Sequence, residues 1–210
     1  NLFSIDLFIA NTATGEITER ITSPAFNSHV DQYSSYESAV AWSPDSRRIA
    51  FVAFAKGRNR LLIAELDGKI REQIDIPGVH SFTNPTWSPD GKTIVVNGLV
   101  NGQSDLYAYN LDTKMVRQLT NDLFSDFQPQ FSPDGQYIAF ATDRLAQTAG
   151  GSLQGYSHNI ALYNMQTGAI TNLDFFPGAN NLNPYFGTDA TILYFLSDRD
   201  GLRNLYTYNL

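Results

Sequence analysis

The stretch that most constrains this chain is Gln128 to Ala141, which reads Gln-Pro-Gln-Phe-Ser-Pro-Asp-Gly-Gln-Tyr-Ile-Ala-Phe-Ala. Pro133 presets φ at the first central position of a tight turn, Asp134 can fold its carboxylate onto turn N–H groups, and Gly135 accepts a conformation that side chains resist. The apolar and aromatic arms on either side make this a β-hairpin. The unit recurs as Ala41 to Ser46 ahead of Ile49 to Phe54, and as Thr86 to Gly91 ahead of Ile94 to Val96. A worn copy, Tyr185 to Asp189, precedes Ile192 to Leu196 and lacks both the Pro and the Gly. A unit repeated in this way means a repeat architecture.

A second pattern fills the intervals. Asp6 to Thr22 reads as two strands joined at Thr14-Gly15, and the pair returns from Arg60 to Ile74, from Asp105 to Thr120 and from Asn159 to Leu173. Its first half returns at Asn204 to Leu210. Each full unit is thus four strands, A and B around the Ser-Pro-Asp turn, then C and D. The strand A aromatic and the first residue of strand C lie 18 residues apart for Trp42 and Arg60, Trp87 and Asp105, and Phe186 and Asn204. From Phe131 to Asn159 the separation is 28, so a ten-residue insertion lies around Leu145 to His158, a Gly-rich polar stretch that reads as a loop.

Strand B is apolar at nearly every position, as in Ile49 to Ala55 and Ile138 to Ala141, so both of its faces are expected to be buried. Four-stranded antiparallel units covered on both sides by their neighbours describe an all-β fold, the β-propeller. The reading is one propeller domain over residues 1–210, with repeats at about 1–33 (partial), 34–80, 81–124, 125–179 and 180–210 (partial). Three full blades and two partial ones give seventeen strands and almost no helix. That number does not close a ring. Either the terminal strands share a blade, or the chain is an excerpt of a propeller of about six to eight blades; the unpaired edge at Asn209-Leu210 favours the excerpt.

Composition narrows the function classes. A net charge of −7 and a pI near 4.8 argue against nucleic acid, whose phosphates need a basic face. The absence of cysteine excludes disulfides, thiolate metal sites and a cysteine nucleophile. No apolar run approaches the ~20 residues of a membrane span, so membrane insertion is not expected. The chain opens on Asn1 without Met and shows no signal peptide, so composition leaves the compartment open.

The Ser-Pro-Asp-Gly hairpins followed by Ile-Ala-Phe, with Asp-Leu-Tyr-x-Tyr-Asn-Leu-Asp-Thr from Asp105 and Arg-Gln-Leu-Thr from Arg117, resemble the TolB-like, or WD40-like, β-propeller repeat family. Ser197-Asp198-Arg199-Asp200-Gly201 is similar to that family's Ser-Asp-Arg-x-Gly hairpin, and Thr142-Asp143-Arg144 is a variant of it. The resemblance covers nearly the whole chain. It implies a bacterial protein of the periplasm or the extracellular space. It also implies one of three roles: an interaction scaffold for proteins, the gating domain of a serine peptidase, or a metal-dependent lyase.

Topology puts a candidate site on one face. In a blade running A to D, the D–A and B–C loops emerge together. That side collects Glu37, His80, Phe82, Asn84, Asp126, Gln128 and Asn183, and the polar residues just before strand A (Glu37, Asn84, Gln128, Asn183) are expected to ring the mouth of the central channel. Such a ring suits a protein or peptide partner; the plainer reading is that these residues cap solvated strand ends. His29, His80 and His158 stand at three unrelated repeat positions, so a shared metal is not expected, nor any other cofactor. Asp143-Arg144 and Asp198-Arg199 recur at equivalent positions, which points to pinning of a B–C loop. Gly151 to Gly155 misplaces its Ser for a nucleophile elbow. The reading therefore leans away from catalysis in this segment and toward a non-catalytic scaffold; the alternative is the substrate-access propeller of a larger hydrolase of the prolyl-oligopeptidase kind.

Overall fold

The computed structural model describes residues 7–22, 32–33, 40–148 and 157–210. Strands β1 (Leu7–Ala10) and β2 (Ile17–Thr22) form a two-stranded sheet. The next sheet holds β3 (Gln32–Tyr33), β4 (Ala41–Trp42), β5 (Arg48–Ala55), β6 (Arg58–Glu65) and β7 (Ile70–Ile74). Two four-stranded sheets follow: β8 (Ser81–Trp87) to β11 through β9 (Thr93–Val100) and β10 (Gln103–Asn110), with β11 at Val116–Gln118, then β12 (Asp126–Phe131), β13 (Tyr137–Thr142), β14 (Asn159–Asn164) and β15 (Ile170–Leu173). The last sheet is β16 (Asn181–Phe186), β17 (Ile192–Ser197) and β18 (Asn204–Asn209). All pairs are antiparallel meanders in chain order, and the phase is the expected one: strands C and D, three full blades, then A, B and C.

Two details differ from the expectation. The first full blade splits strand A into β3, paired with Ala53 and Phe54, and β4, paired with Ile49 and Ala50, so eighteen strands stand among the described residues. The insertion opens not as a loop but as a five-residue helix, α1 (Arg144–Thr148). Leu145, Ala146 and Gln147 are good helix formers, and Asp143 is a favoured residue type just ahead of a helix. Residues 149–156, including Gly151 to Gly155, lie outside the described residues.

The core lies between sheets rather than within one. Alternate residues of β5 serve two clusters: Ile49, Phe51 and Ala53 pack toward the β1–β2 sheet, while Ala50 and Val52 meet Ile94, Val96 and Tyr107 of the following blade. Val95 and Leu106 meet Phe131, Ile138 and Phe140 in the same manner, and Ala139, Ala141 and Ile160 meet Phe186, Leu193 and Phe195. Burying both faces is what the unbroken apolar run of strand B requires.

The Ser-Pro-Asp turns are built alike. The hydroxyls of Ser43, Ser88 and Ser132 donate to Asp45, Asp90 and Asp134 at 2.5, 2.5 and 2.6 Å, and each accepts a strand B N–H five residues on at 2.9 Å. These bonds hold all three carboxyls below their ordinary range, the hydroxyl contributing most. Gly91 and Gly135 take φ of +72°, the left-handed region where a side chain is strained.

Candidate functional site

Strand A is the free inner edge of each blade, paired only with B, and β12 lies between β8 and β16. All three strands are bulged at one place. Asn84 and Pro85 together oppose Val96, Gln128 and Pro129 oppose Phe140, and Asn183 and Pro184 oppose Phe195. Asn84, Gln128 and Asn183 have φ of +50°, +55° and +51°. The proline ring bars the right-handed helical region to the residue before it, and its missing N–H is tolerated at a bulge on an edge strand. The three polar residues thus stand inside strand A, not ahead of it as the sequence suggested.

The structure joins two of these residues directly. Gln128 Oε1 accepts the backbone N–H of Asn183 at 2.9 Å, across the seam between two blades. Asn84 Nδ2 donates to Asn97 at 3.1 Å, and the Thr83 hydroxyl donates to the same oxygen at 3.2 Å. Asn183 is exposed, whereas Asn84 and Gln128 are half-buried. Glu37 lies outside the described residues, as does His29.

Other positions from the same face take different places. Phe82 is only 2% exposed and belongs to the core; it occupies the repeat position of Asp126, and its carbonyl accepts Asn59 Nδ2 at 2.6 Å. His80 is exposed and its carbonyl accepts the Asn59 N–H at 2.9 Å. His158 Nδ1 lies 3.0 Å from Asn180 Oδ1, with its ring edge-on to Phe127.

Asp126 is fully buried, so its side chain does not face solvent; the reason is Arg144. Nη1 of that arginine donates to Asp126 and, at 2.6 Å, to Thr142, while Nη2 reaches Asp126 at 2.9 Å and Asp122 at 2.6 Å. Burial pushes the Asp126 carboxyl above its ordinary range, which Arg144 offsets only in part, while the two carboxylates keep the Arg144 guanidinium charged. Asp105 completes the group, accepting from Thr120 at 3.2 Å and Gln118 at 3.1 Å. The carboxylates of Asp105, Asp122 and Asp126 come within 4.8 Å of one another, a spacing that could hold a cation. The guanidinium already bonded to two of them supplies the positive charge, so the cluster is an ion-pair network joining two blades. Sequence reading missed it because its members come from separate strands and loops.

Asp143 and Asp198 do pin their loops. Asp143 accepts the Ser125 N–H at 2.8 Å, and Asp198 accepts the Asn180 N–H at 2.7 Å and its amide at 2.9 Å. Their arginines diverge: Asn181 stands where Asp126 does one blade earlier, and Arg199 lies instead over the Phe176 ring at 4.1 Å. No helix among the described residues is long and apolar enough to cross a membrane.

This geometry has known counterparts. TolB from Acinetobacter baumannii superposes with a TM-score of 0.71 at 23% identity over 97% of this chain and 46% of that one. A putative TolB from Agrobacterium tumefaciens gives 0.75 at 21% identity over 98% and 66%. A prolyl endopeptidase gives 0.60 at 16% identity over 93% and 29%. The chain therefore spans less than two thirds of the length of these structures, and at such identities the likeness is one of fold. No curated protein is significantly similar in sequence. The sequence model described as the TolB beta propeller domain matches residues 25–157, more than half of the chain. With its repeated Ser-Pro-Asp hairpins and bulged inner strands, the chain belongs to the TolB beta propeller domain family.

Proposed function

We propose that this segment is a non-catalytic scaffold that binds a protein or peptide partner at the face of the D–A and B–C loops. The observation that carries the reading is the row of left-handed, bulged positions at Asn84, Gln128 and Asn183, one on the inner strand of each of three successive blades. Amides offer both donors and acceptors, so such a row can read a peptide without a charge of its own. The reading takes in His80 on the same face and, from its sequence position alone, Glu37, with Phe82 and Asp126 supporting the face from beneath through packing and the Arg144 network. A periplasmic or extracellular setting agrees with the family.

A photocrosslinking amino acid encoded in place of Asn183 puts a single crosslinker at this face in the full-length protein in its own cells. A discrete protein adduct that disappears with Gln128→Gly, at an unchanged melting temperature, is the expected result. No adduct, or one indifferent to Gln128→Gly, overturns the reading. A second reading, the substrate-access propeller of a larger hydrolase, draws on the fold shared with the prolyl endopeptidase; a hydrolase domain in the complete polypeptide would favour it.

A further inference from the structure

The residues before Arg60, Asp105 and Asn159 occupy one position of the repeat, and two of them clasp the following blade. Asn59 Nδ2 donates to the Phe82 carbonyl at 2.6 Å, and the Ser104 hydroxyl donates to the Asp126 carbonyl at 2.9 Å. His158 holds the third place, where the B–C connection returns into β14 at the seam with the last sheet. Its carbonyl accepts the Asn181 N–H at 2.7 Å, and its ring stands edge-on to Phe127 with the centroids 5.0 Å apart. One ring nitrogen is committed. Nδ1 lies 3.0 Å from Asn180 Oδ1, while Asn180 donates to the Asp198 carboxylate from Nδ2 at 2.9 Å and from its backbone N–H at 2.7 Å. These two bonds, the amide's first, hold the Asp198 carboxyl below its ordinary range, so it accepts and does not donate. An inverted Asn180 amide would set two oxygens against each other, so Oδ1 faces the histidine and Nδ1 carries the proton. The lone pair of the neutral ring is then on Nε2, an atom that bonds to no described residue and is not enclosed. Where Asn59 and Ser104 spend their side chains on the seam, His158 keeps a second group for the surface.

Resting on the scaffold reading, we propose that His158 Nε2 is a specificity contact of the partner face: it accepts an N–H of the bound protein, and protonation of the same atom releases that protein. Protonation leaves the Nδ1–H bond to Asn180 in place, because an imidazolium donates from both nitrogens. The fold keeps the ring where it is while Nε2 turns from acceptor to donor, and the partner's N–H then meets a second donor and a positive charge. Histidine is the side-chain type whose charge changes between about pH 5 and about pH 8. The groups that meet the ring are Phe127 from β12 and Asn180 ahead of β16; the charges behind Asn180 are Asp198 and Arg203, which acts on it. On the histidine's own blade Asp143 and Arg144 follow β13, which pairs with β14. Both are engaged, Asp143 with the Ser125 N–H and Arg144 with Asp122 and Asp126.

His158→Asn places an amide nitrogen where Nδ1 stands and nothing at Nε2, so it keeps the bond to Asn180 and deletes the outward acceptor. Nitrogen NMR spectra of the full-length protein, isotopically labelled at histidine and with His158→Asn identifying the signal, are expected to show the neutral ring protonated at Nδ1. A ring protonated at Nε2 overturns the proposal and leaves the scaffold reading untouched. In cell extract, with the photocrosslinking amino acid in place of Asn183, the partner adduct is expected to fall about tenfold from about pH 8 to about pH 5. In His158→Asn the adduct is expected to be lowered about two- to tenfold at the higher pH and to vary no further as the pH falls. An unchanged melting temperature of His158→Asn separates lost contact from unfolding, and the NMR reading on the unsubstituted protein does not depend on it. An adduct indifferent to pH, or one whose pH dependence survives His158→Asn, overturns this proposal alone; no adduct at the higher pH overturns it together with the scaffold reading.

Discussion

Gln128 Oε1 and the backbone N–H of Asn183 are joined at 2.9 Å, so a side chain of one blade satisfies the bulged backbone of the next. The bond is solvent-accessible and worth about 1 kcal/mol. Relief of the left-handed strain at residue 128 returns a similar amount when glycine replaces the side chain. Gln128→Gly is therefore expected to leave the melting temperature nearly unchanged. Gln128→Val, β-branched at φ +55°, is expected to lower stability by about 2 kcal/mol or more. Urea denaturation of the two variants checks the contrast.

Arg144 and Arg199 are equivalent in the repeat but not in energy. Removing Arg144 leaves the buried Asp126 carboxylate without its partner, which costs about 3–5 kcal/mol. Arg199 lies over Phe176 with its side chain 45% exposed, and its loss costs about 0.5–1 kcal/mol. Arg144→Ala and Arg199→Ala, compared by chemical denaturation, should differ accordingly.

Asp105 gives a pH dependence of defined sign. Burial, aided by the charge of Asp126, raises its folded pKa above the ordinary 3.8, so the folded state takes up the proton first. Its contribution is complete below pH 3.8 and is lost as the pH rises through the folded pKa. Asp105→Asn is thus expected to raise the melting temperature at neutral pH by a few degrees, at about 2–4 °C per kcal/mol for a chain of this size, and to give no advantage below pH 3.8. Melting curves across the acid range read the difference directly.

The worn turn can be repaired. Gly187 stands where the other blades have serine; its φ is not left-handed, and an added Cβ would meet only ordinary contacts, the nearest at 3.4 Å. Gly187→Ser should restore the hydroxyl bonds to Asp189 and to the strand B N–H, stabilising the domain by about 0.5–1.5 kcal/mol. Calorimetry of the single variant checks it.

Blade order, phase and the doubly buried strand B were legible because turn chemistry and apolar runs are local. The Arg144 network was not, since its pairs span 18 and 22 residues and depend on register across two sheets. The burial of Phe82 follows from the same register, which sets it level with Asp126. The bulges did leave a trace: Asn84-Pro85, Gln128-Pro129 and Asn183-Pro184 each begin four residues before the serine or glycine of the turn. That recurring pair of a polar residue and proline marks where the inner strand gains an extra residue.

Pro85, Pro129 and Pro184 each occupy the inner edge strand of a blade. A foreign extended chain sliding along this inner wall meets, in blade after blade, a position with no N–H to offer and a kink that spoils the spacing of the rest. It cannot zip on as a further strand regardless of its sequence. Whatever is retained at this wall must be recognised through side chains, so the prolines act as a filter against indiscriminate occupants.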